Sequence, residues 1–378
     1  MAFDPALLFQ IAAILFVAKI FGEIAERLKM SPIVGEVIAG LVLGSLLHVV
    51  MPDEFLGQMA NFGMLFIVFL IGIHVRFDES RKDILEGSAI AFAGAAISFA
   101  AGALAGLYFF RSFETGIFIG MAMMVSSTSI GLKSLVDTGD IKSKAHDMIA
   151  TISKANDIMA ILIVALAAGY ISKNTQEMSG ILVFLAIVIM ALLFAGAKHI
   201  GNAISSLKLK DEHIMLSIPL SIIFVIAFLS DNIGVAGATG AFLAGIMMSR
   251  SPIAETHIVP KMRILSSGFF APIFFAYSAV LVSISLTGLQ PAAAIAALGI
   301  LSVFAGSLIL GRYYGFGRKE VITIGLSRMP RGEFAVIIAQ IALASAAITN
   351  AAYSTIILSV LITAIITPFI LRIAHKRM

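Results

Sequence analysis

The sequence predicts an all-α, polytopic membrane protein with about 13 transmembrane helices, arranged as two inverted six-helix repeats. Its composition, the placement of its basic residues and an internal repeat all predict this. Hydrophobic residues make up 60% of the 378 positions and charged residues only 13%, whereas a soluble domain is about a quarter charged. Since lipid cannot satisfy backbone polar groups, we expect apolar runs of about 20 residues to be helices.

The apolar runs divide into thirteen predicted spans joined by short loops. They cover residues 5–27, 32–50, 56–75, 86–110, 114–134, 145–170, 178–197, 212–230, 234–249, 264–286, 290–311, 319–348 and 352–371. No loop between them is long enough to form a soluble domain. The chain contains no cysteine, so neither disulfides nor thiol chemistry enters the prediction.

Basic residues predict the orientation of the spans. With the N-terminus outside, twenty of the 26 Lys and Arg residues fall in inner loops or at the inner C-terminus, and the outer loops hold only Arg111 and Lys173. An excess of basic residues marks the cytoplasmic side. We therefore expect an external N-terminus, a cytoplasmic C-terminus and an odd number of spans. The remaining four basic residues lie within spans: Lys19, Lys154, Arg328 and Arg331.

One motif occurs twice. The segment 35–43 (GEVIAGLVL) resembles 240–248 (GAFLAGIMM), 205 residues later. The first copy lies in span 2 and the second in span 9, which run in opposite directions. The pattern indicates two inverted halves, spans 1–6 and 8–13, with span 7 as the link. Inverted repeats are typical of secondary transporters, with the binding site near the midplane. Small-residue patterns also recur at unrelated helix contacts, and this alternative stays open.

Span 6 carries charge near mid-membrane, in the segment Ser153-Lys154-Ala155-Asn156-Asp157. An ionisable residue in the bilayer costs roughly 2.5–3.5 kcal/mol to insert, so Asp157 is a functional candidate. A buried carboxylate can hold either a proton or a small cation, and this competition couples the two flows. The alternative is a structural Lys154–Asp157 pair that only fixes span 6.

Spans 5 and 12 are interrupted at corresponding positions of the two halves. Span 5 contains four consecutive hydroxyl residues, Ser126–Ser129, followed by Gly131; hydroxyls compete for backbone hydrogen bonds. Span 12 contains Pro330 and Gly332 within the segment 327–333, and both residues disfavour a continuous helix. Paired interrupted spans indicate a transport site. Alternatively, 327–333 is a cytoplasmic loop between two short helices.

Five motifs, in order along nearly the whole chain, resemble the cation–proton antiporter superfamily, in the branch of NapA-type and Kef-type membrane domains. They are SPIVGEVIAG at 31–40, STSIG at 127–131, Asn156-Asp157, APIFF at 271–275 and PRGE at 330–333. The resemblance implies a multi-pass protein of a prokaryotic cytoplasmic membrane with the NhaA fold.

That fold implies a domain division. A panel domain, residues 1–85 and 201–287, would form the contact of a homodimer. A core domain, residues 86–177 and 288–378, would contain the two interrupted helices, crossed, and 178–200 would be the linker helix. Alternating access would come from an elevator-type movement of core against panel.

The resemblance also implies site residues. Asp157 matches the essential aspartate that binds cation and proton, and Asn156 matches the position before it. Ser153 and the backbone of Thr128 match cation ligands, and Ser129 lies beside Thr128. Related proteins carry a lysine in span 11, but residues 305–310 here have no charge. Lys154 is therefore expected to take its place, while Arg331 and Glu333 balance charge and organise the span 12 interruption.

The expected function is secondary active exchange of Na⁺ (or Li⁺ or K⁺) for H⁺, without a resident cofactor. The alternative is a Kef-like K⁺ efflux subunit regulated by a cytoplasmic partner in trans. Membrane lipid and a second copy are the other expected partners, and nucleic acid is not. An intramembrane protease is disfavoured, because the chain has neither a Gly-x-Gly-Asp motif nor a mid-span histidine. A sensor without transport would leave both interrupted spans unexplained.

Overall fold

The computed structural model describes residues 5–75, 80–127, 144–171, 213–232, 235–249, 251, 254–284 and 286–377, and these contain helices and no strand. Thirteen helices follow in order: α1 Pro5–Arg27, α2 Pro32–Leu41, α3 Glu54–Ile73, α4 Arg81–Phe110, α5 Phe113–Met124, α6 Lys144–Ile171, α7 Ile214–Asn232, α8 Gly237–Ser249, α9 Ala254–Val280, α10 Leu286–Tyr313, α11 Arg318–Ser327, α12 Glu333–Ala344 and α13 Asn350–Arg377. The predicted all-α, polytopic class is confirmed.

Within the described ranges, eight helices are long and apolar enough to cross a membrane: α1, α3, α4, α6, α7, α9, α10 and α13. Shorter apolar helices are α2, α5, α8 and α12. The short helices α5 and α12 are the parts of predicted spans 5 and 12 that lie next to their interruptions, which is why each is too short to cross alone.

Side-chain caps set the start of several helices. Asp53 accepts hydrogen bonds from the first backbone N–H groups of α3, Ser80 does so for α4 and Ser112 for α5. Such caps satisfy N–H groups that have no partner inside the helix. Helix α4 consequently begins at Arg81, five residues before the apolar run on which the sequence prediction was based.

One compact unit comprises residues 1–52, 77–160 and 278–378. Buried side chains from α4, α6, α11 and α13 form a hydrophobic cluster inside it, including Ile90, Ile149, Ile324 and Leu371. Helices α4 and α10 approach closely, because a Cβ on Gly306 would come within 2.5 Å of the Gly94 Cα. The unit contains the described parts of both interrupted spans.

The second compact unit comprises residues 53–76 and 161–277. Its core brings together apolar side chains of α3, α7, α8 and α9, including Phe66, Phe69, Ile223 and Met262. Glycines let α3 and α8 touch backbone to backbone: Gly72 packs on the Phe242 carbonyl and Gly245 on the Phe69 carbonyl.

The internal repeat is present as a repeated contact. Gly35 of α2 packs against the carbonyl oxygen of Phe21 in α1, where a Cβ would overlap it. Gly240 of α8 packs in the same way on the carbonyl oxygen of Ile226 in α7. Gly35 and Gly240 are 205 residues apart, and so are their carbonyl partners, Phe21 and Ile226. The repeated sequence therefore encodes the same helix–helix contact twice.

The predicted division into panel and core, at residues 85/86, 177/178, 200/201 and 287/288, stays a prediction. The linker helix predicted at 178–200 lies outside the described residues.

Candidate cation site

Predicted span 12 is interrupted, as expected. Helix α11 ends at Ser327 and α12 begins at Glu333. The connecting residues, Arg328–Gly332, are buried, and Pro330 among them has no backbone N–H to donate to a helix. Burial of the whole connection contradicts the alternative of a solvated cytoplasmic loop.

The interruption of span 5 touches that of span 12. Helix α5 ends at Met124, and Val125 is already extended. The backbone N–H of Ser127 donates to the carbonyl oxygen of Pro330 across 2.8 Å. Gly332 lies directly against Ser127, and a Cβ there would overlap the serine side chain. The two interruptions are therefore crossed and in contact, and only glycine fits at the closest point.

Arg331 connects this crossing to the surrounding helices. Its buried guanidinium donates through Nη1 to the Val125 carbonyl (3.1 Å). Nη2 donates to the Gly299 carbonyl (2.8 Å) and the Ser98 hydroxyl (3.4 Å). Its backbone N–H donates to Thr363 Oγ1 (3.2 Å). All of these acceptors are neutral, so the contacts seen for Arg331 hold the interruption in place without a carboxylate.

Arg328 makes a second set of neutral contacts. The residue is 1% exposed, and its Nη1 donates to the Ile90 carbonyl (2.9 Å) and the Ser307 hydroxyl (3.0 Å). Nη2 donates to the Ala91 carbonyl (3.0 Å). The guanidinium thus joins α4 and α10 to the interruption. Through Ser307 it also brings a positive charge to residues 305–310 of α10, an uncharged segment where the sequence resemblance leads one to expect a lysine.

Asn156 and Asp157 reach the crossing from α6. The Nδ2 of Asn156 donates to the Ser126 hydroxyl across 2.8 Å, and Asn156 is 2% exposed. Its Oδ1 is buried and makes no hydrogen bond with any described residue. Asp157, next in sequence, is partly buried. A free amide oxygen beside a carboxylate offers two oxygen ligands of the kind that hard cations prefer.

Glu333 approaches the same place from α12. It is 8% exposed, and its Oε2 accepts a hydrogen bond from the Ser127 hydroxyl at 3.4 Å. An electrostatic interaction links Glu333 and Asp157. Of the two adjacent serines, Ser126 therefore bonds to Asn156 and Ser127 bonds to Glu333.

The other predicted site residues divide into two groups. Ser153 and Lys154 lie on α6, one turn before Asp157, and both are partly buried. The ion pairs seen among the described residues do not include one between Lys154 and Asp157. Thr128 and Ser129 lie outside the described residues.

Sequence reasoning missed three contributors to this region: Ser98, Ser302 and Ser307. Ser98 and Ser302 are hydrogen-bonded to each other, and Ser307 accepts from Arg328. Each is a single hydroxyl in an apolar run, which by itself is an ordinary feature of membrane helices. The one available signal was position, since Ser98 and Ser302 are separated by nearly the repeat offset.

A family model described as sodium/hydrogen exchanger, transmembrane, matches residues 12–377. The chain belongs to this family. Similar exchanger-family proteins include the Na(+)/H(+)-K(+) antiporter GerN of Bacillus cereus, 27% identical over 96% of this chain and 95% of that protein. The K(+)/H(+) antiporter subunit KhtU of Bacillus subtilis is 26% identical over 89% of this chain and 86% of KhtU.

The fold is also similar to that of a solved exchanger. The sodium proton antiporter MjNhaP1 of Methanocaldococcus jannaschii matches with a TM-score of 0.74 and 15% identity, over 98% of this chain and 99% of that one. The resemblance to cation–proton antiporters is thus confirmed. This exchanger-family chain is a multi-pass membrane protein in a lipid environment, and its family comprises transporters and not enzymes.

Proposed function

We propose that this protein exchanges Na⁺, Li⁺ or K⁺ for H⁺ by secondary active transport, with Asp157 binding the cation and the proton in turn. The observation that carries this proposal is the hydrogen bond from Asn156 to Ser126, which brings the Asn156-Asp157 pair to the interrupted span 5. An ionisable residue inside a membrane protein indicates a transport pathway. Exchange follows because cation and proton compete for one carboxylate.

The cation, as substrate, would be bound by oxygen ligands alone. The Asp157 carboxylate supplies the charge, and the unpartnered Oδ1 of Asn156 supplies a neutral oxygen. As further ligands we propose Ser153, the backbone of Thr128 and Ser129, because Ser153 and Thr128 match ligand positions of related antiporters. Lys154 and Arg331 then offset the negative charge of the site when it is empty.

A pocket in the same compact unit offers a route to α6 from the side proposed to be cytoplasmic. Its volume is about 420 Å³, and it is lined by Asp83, Glu86, Asp147 and Glu320, with Lys82 and Thr151 beside them. Acidic walls raise the local concentration of cations. Asp147 lies ten residues before Asp157 on α6, about 15 Å along the helix. We propose this pocket as the inner entrance.

Alternating access would follow the elevator scheme, with the core domain moving against a panel domain in each protomer of a homodimer. The crossed interruptions support this scheme, because the Ser127–Pro330 hydrogen bond and the contact at Gly332 fasten α5 to α12. Parts joined so tightly would move together and would carry the bound cation with them.

Flux measurements in proteoliposomes test the proposal. Wild-type protein is expected to move protons when Na⁺, Li⁺ or K⁺ is added, and the ranking of the three responses gives the selectivity. Asp157→Asn, which keeps size and loses charge, is expected to abolish the response. Full pH-dependent exchange by a correctly folded Asp157→Asn would rule this mechanism out.

The second candidate function is K⁺ efflux by a membrane subunit that a cytoplasmic partner regulates. It is favoured by the similarity to KhtU, whose name describes a subunit. The two functions differ in a simple way. An autonomous antiporter responds to cations when purified alone, whereas a regulated efflux subunit is silent alone and passes K⁺ once its partner is supplied.

A further inference from the structure

We propose that Glu333 supplies a second carboxylate ligand to the transported cation, opposite Asp157. This inference rests on the proposed cation exchange and names a further substrate-binding group in it. It also differs from the role that sequence reasoning gives Glu333, which was to balance charge and organise the interruption.

The first step is that the contacts seen for the two neighbouring arginines, Arg328 and Arg331, do not include Glu333. Arg331 lies two positions away, but its guanidinium donates to two carbonyls and the Ser98 hydroxyl. Arg328 likewise donates to two carbonyls and the Ser307 hydroxyl. Within the described residues, the hydrogen bond that Glu333 receives from another side chain comes from Ser127, a neutral donor.

The second step is position. Glu333 and Asn156 bond to neighbouring hydroxyls, Ser127 and Ser126, at the end of the interrupted span 5. Helices α6 and α12 therefore each present a polar group to one of two adjacent serines. The electrostatic interaction between Glu333 and Asp157 agrees with this geometry. Among the described residues, the nearest charged residues along α6 and the interruption are Lys154, Arg328 and Arg331.

The third step is physical. Glu333 is buried and Asp157 is partly buried. Two carboxylates that interact in a protein interior repel, and the repulsion is relieved when a cation or a proton binds to them. A monovalent cation held by two carboxylates and the Asn156 Oδ1 would neutralise one of the two negative charges, and the positive charges assigned above to Lys154 and Arg331 would offset the other. Its hydration would be replaced by protein oxygens. A ligand from α12 would also couple cation binding to the position of the crossed helix.

Equilibrium binding of radioactive sodium to purified protein tests this directly. Glu333→Gln keeps the shape and is expected to weaken sodium binding by about tenfold or more, because a charged ligand is lost. The matched control is Glu114→Gln, which changes the exposed glutamate in the first turn of α5 and is expected to bind like wild type. Wild-type sodium affinity in a folded Glu333→Gln would overturn the inference.

Comparing Ser127→Ala with Glu333→Gln distinguishes two roles for Glu333: a direct ligand of the cation, or a residue that only holds the span 12 interruption in place. Ser127→Ala removes the hydrogen bond to Glu333 but keeps the carboxylate, so its loss of binding is expected to be smaller. An equal loss of sodium binding in Ser127→Ala and Glu333→Gln would mean that Glu333 only holds the interruption in place and does not bind the cation. If Glu333→Gln does not fold, Glu333→Asp provides the test. A shorter carboxylate that binds the cation is expected to change the relative affinities for Li⁺, Na⁺ and K⁺. Unchanged relative affinities would contradict the inference.

The proposed function and this inference fail in different ways. A wild-type protein without cation-driven proton movement would remove both. A wild-type protein that exchanges, together with a folded Glu333→Gln that binds sodium normally, would remove the second and leave the first.

Discussion

The hydroxyls of Ser98 and Ser302 are hydrogen-bonded to each other in the buried contact between α4 and α10, with 2.8 Å between the oxygens. The two residues are 204 positions apart, one fewer than the offset of the repeated motif. Ser127 and Glu333, also in contact, are 206 apart. Residues that are counterparts in two inverted halves can touch only near the axis that relates the halves. Both contacts therefore join residues at nearly equivalent positions of the two predicted halves, as is expected when a transporter binds its substrate between inverted repeats.

Gly332→Ala is expected to abolish exchange and lower thermal stability. A Cβ at this position overlaps the Ser127 side chain, so the crossing must separate, at a cost of about 1–3 kcal/mol typical of overpacking. Thermal unfolding in detergent and flux in proteoliposomes measure the two effects. Gly268→Ala is the control, because nothing lies within 4 Å of a Cβ there. Equal stability of the two variants would contradict the close crossing.

Arg328→Met is expected to destabilise the protein by about 1.5–3 kcal/mol, the usual loss for hydrogen bonds to a charged group. The methionine fills part of the volume but leaves Ser307 and two carbonyls without their donor. The midpoint of thermal unfolding measures the effect. Arg318→Met, at an exposed position at the start of α11, is expected to unfold like wild type. An Arg328→Met protein of undiminished stability would show that these bonds contribute nothing.

Asn156→Ala is expected to raise the cation concentration needed for half-maximal exchange. The change removes the donor to Ser126 and the free Oδ1, and losing a buried polar contact costs about 1–3 kcal/mol. Flux measured against cation concentration gives the result. Asn61→Ala, on the exposed face of α3, is the control. The half-maximal cation concentration is expected to rise in Asn156→Ala and not in Asn61→Ala. An equal rise in both variants would exclude a specific role for Asn156.

Gly35→Ala and Gly240→Ala are each expected to lower the unfolding temperature, and by similar amounts. Each places a methyl group on a backbone carbonyl of the preceding helix, and overpacking of this kind costs about 1–3 kcal/mol. Unfolding of both single variants in one detergent provides the comparison. A large effect at one glycine and none at the other would show that the repeated contact is not equivalent in the two halves.

The absence of cysteine from the sequence makes the orientation testable by labelling. Phe113→Cys, at a residue 70% exposed, is expected to react with a membrane-impermeant maleimide in intact cells. Tyr313→Cys, at a residue 78% exposed, is expected to react only after the membrane is opened. The reverse pattern would place the N-terminus inside and invert the proposed topology.

Much of this architecture can be predicted from hydrophobicity and charge. The apolar runs predict the helices to within a few residues at most ends, because the requirement for internal backbone hydrogen bonds in lipid leaves few alternatives. The start of α4 at Arg81 was predicted five residues too late, because capping by Ser80 extends the helix into polar sequence. Interruption of span 12 could be predicted because Pro330 and Gly332 are visible in the sequence.

Partners of the buried charges could not be predicted. The sequence places Arg328 and Arg331 in a span but does not show that their acceptors are carbonyls and hydroxyls of α4 and α10, more than 200 positions away for Ile90 and Ser98. Such pairings depend on how helices from the two halves pack. The contacts seen for Arg331 are with neutral groups, and the charge-balancing roles of Arg331 and Glu333 stay predictions.

The two buried guanidiniums also bear on how the chain enters the membrane during synthesis. Each costs roughly 2.5–3.5 kcal/mol to place at the centre of a lone helix, and α11 is only ten residues long. The segment formed by α11 and the interruption that follows it, with Arg328 and Arg331, is therefore too polar to leave the translocon for lipid unaided. The acceptors of the two guanidiniums lie on α4 and at Val125 after α5, both made much earlier, and on α10, made just before. Insertion of the last third of the chain thus depends on tertiary contacts with earlier helices, so the protein is expected to enter the bilayer and fold in a single coupled process.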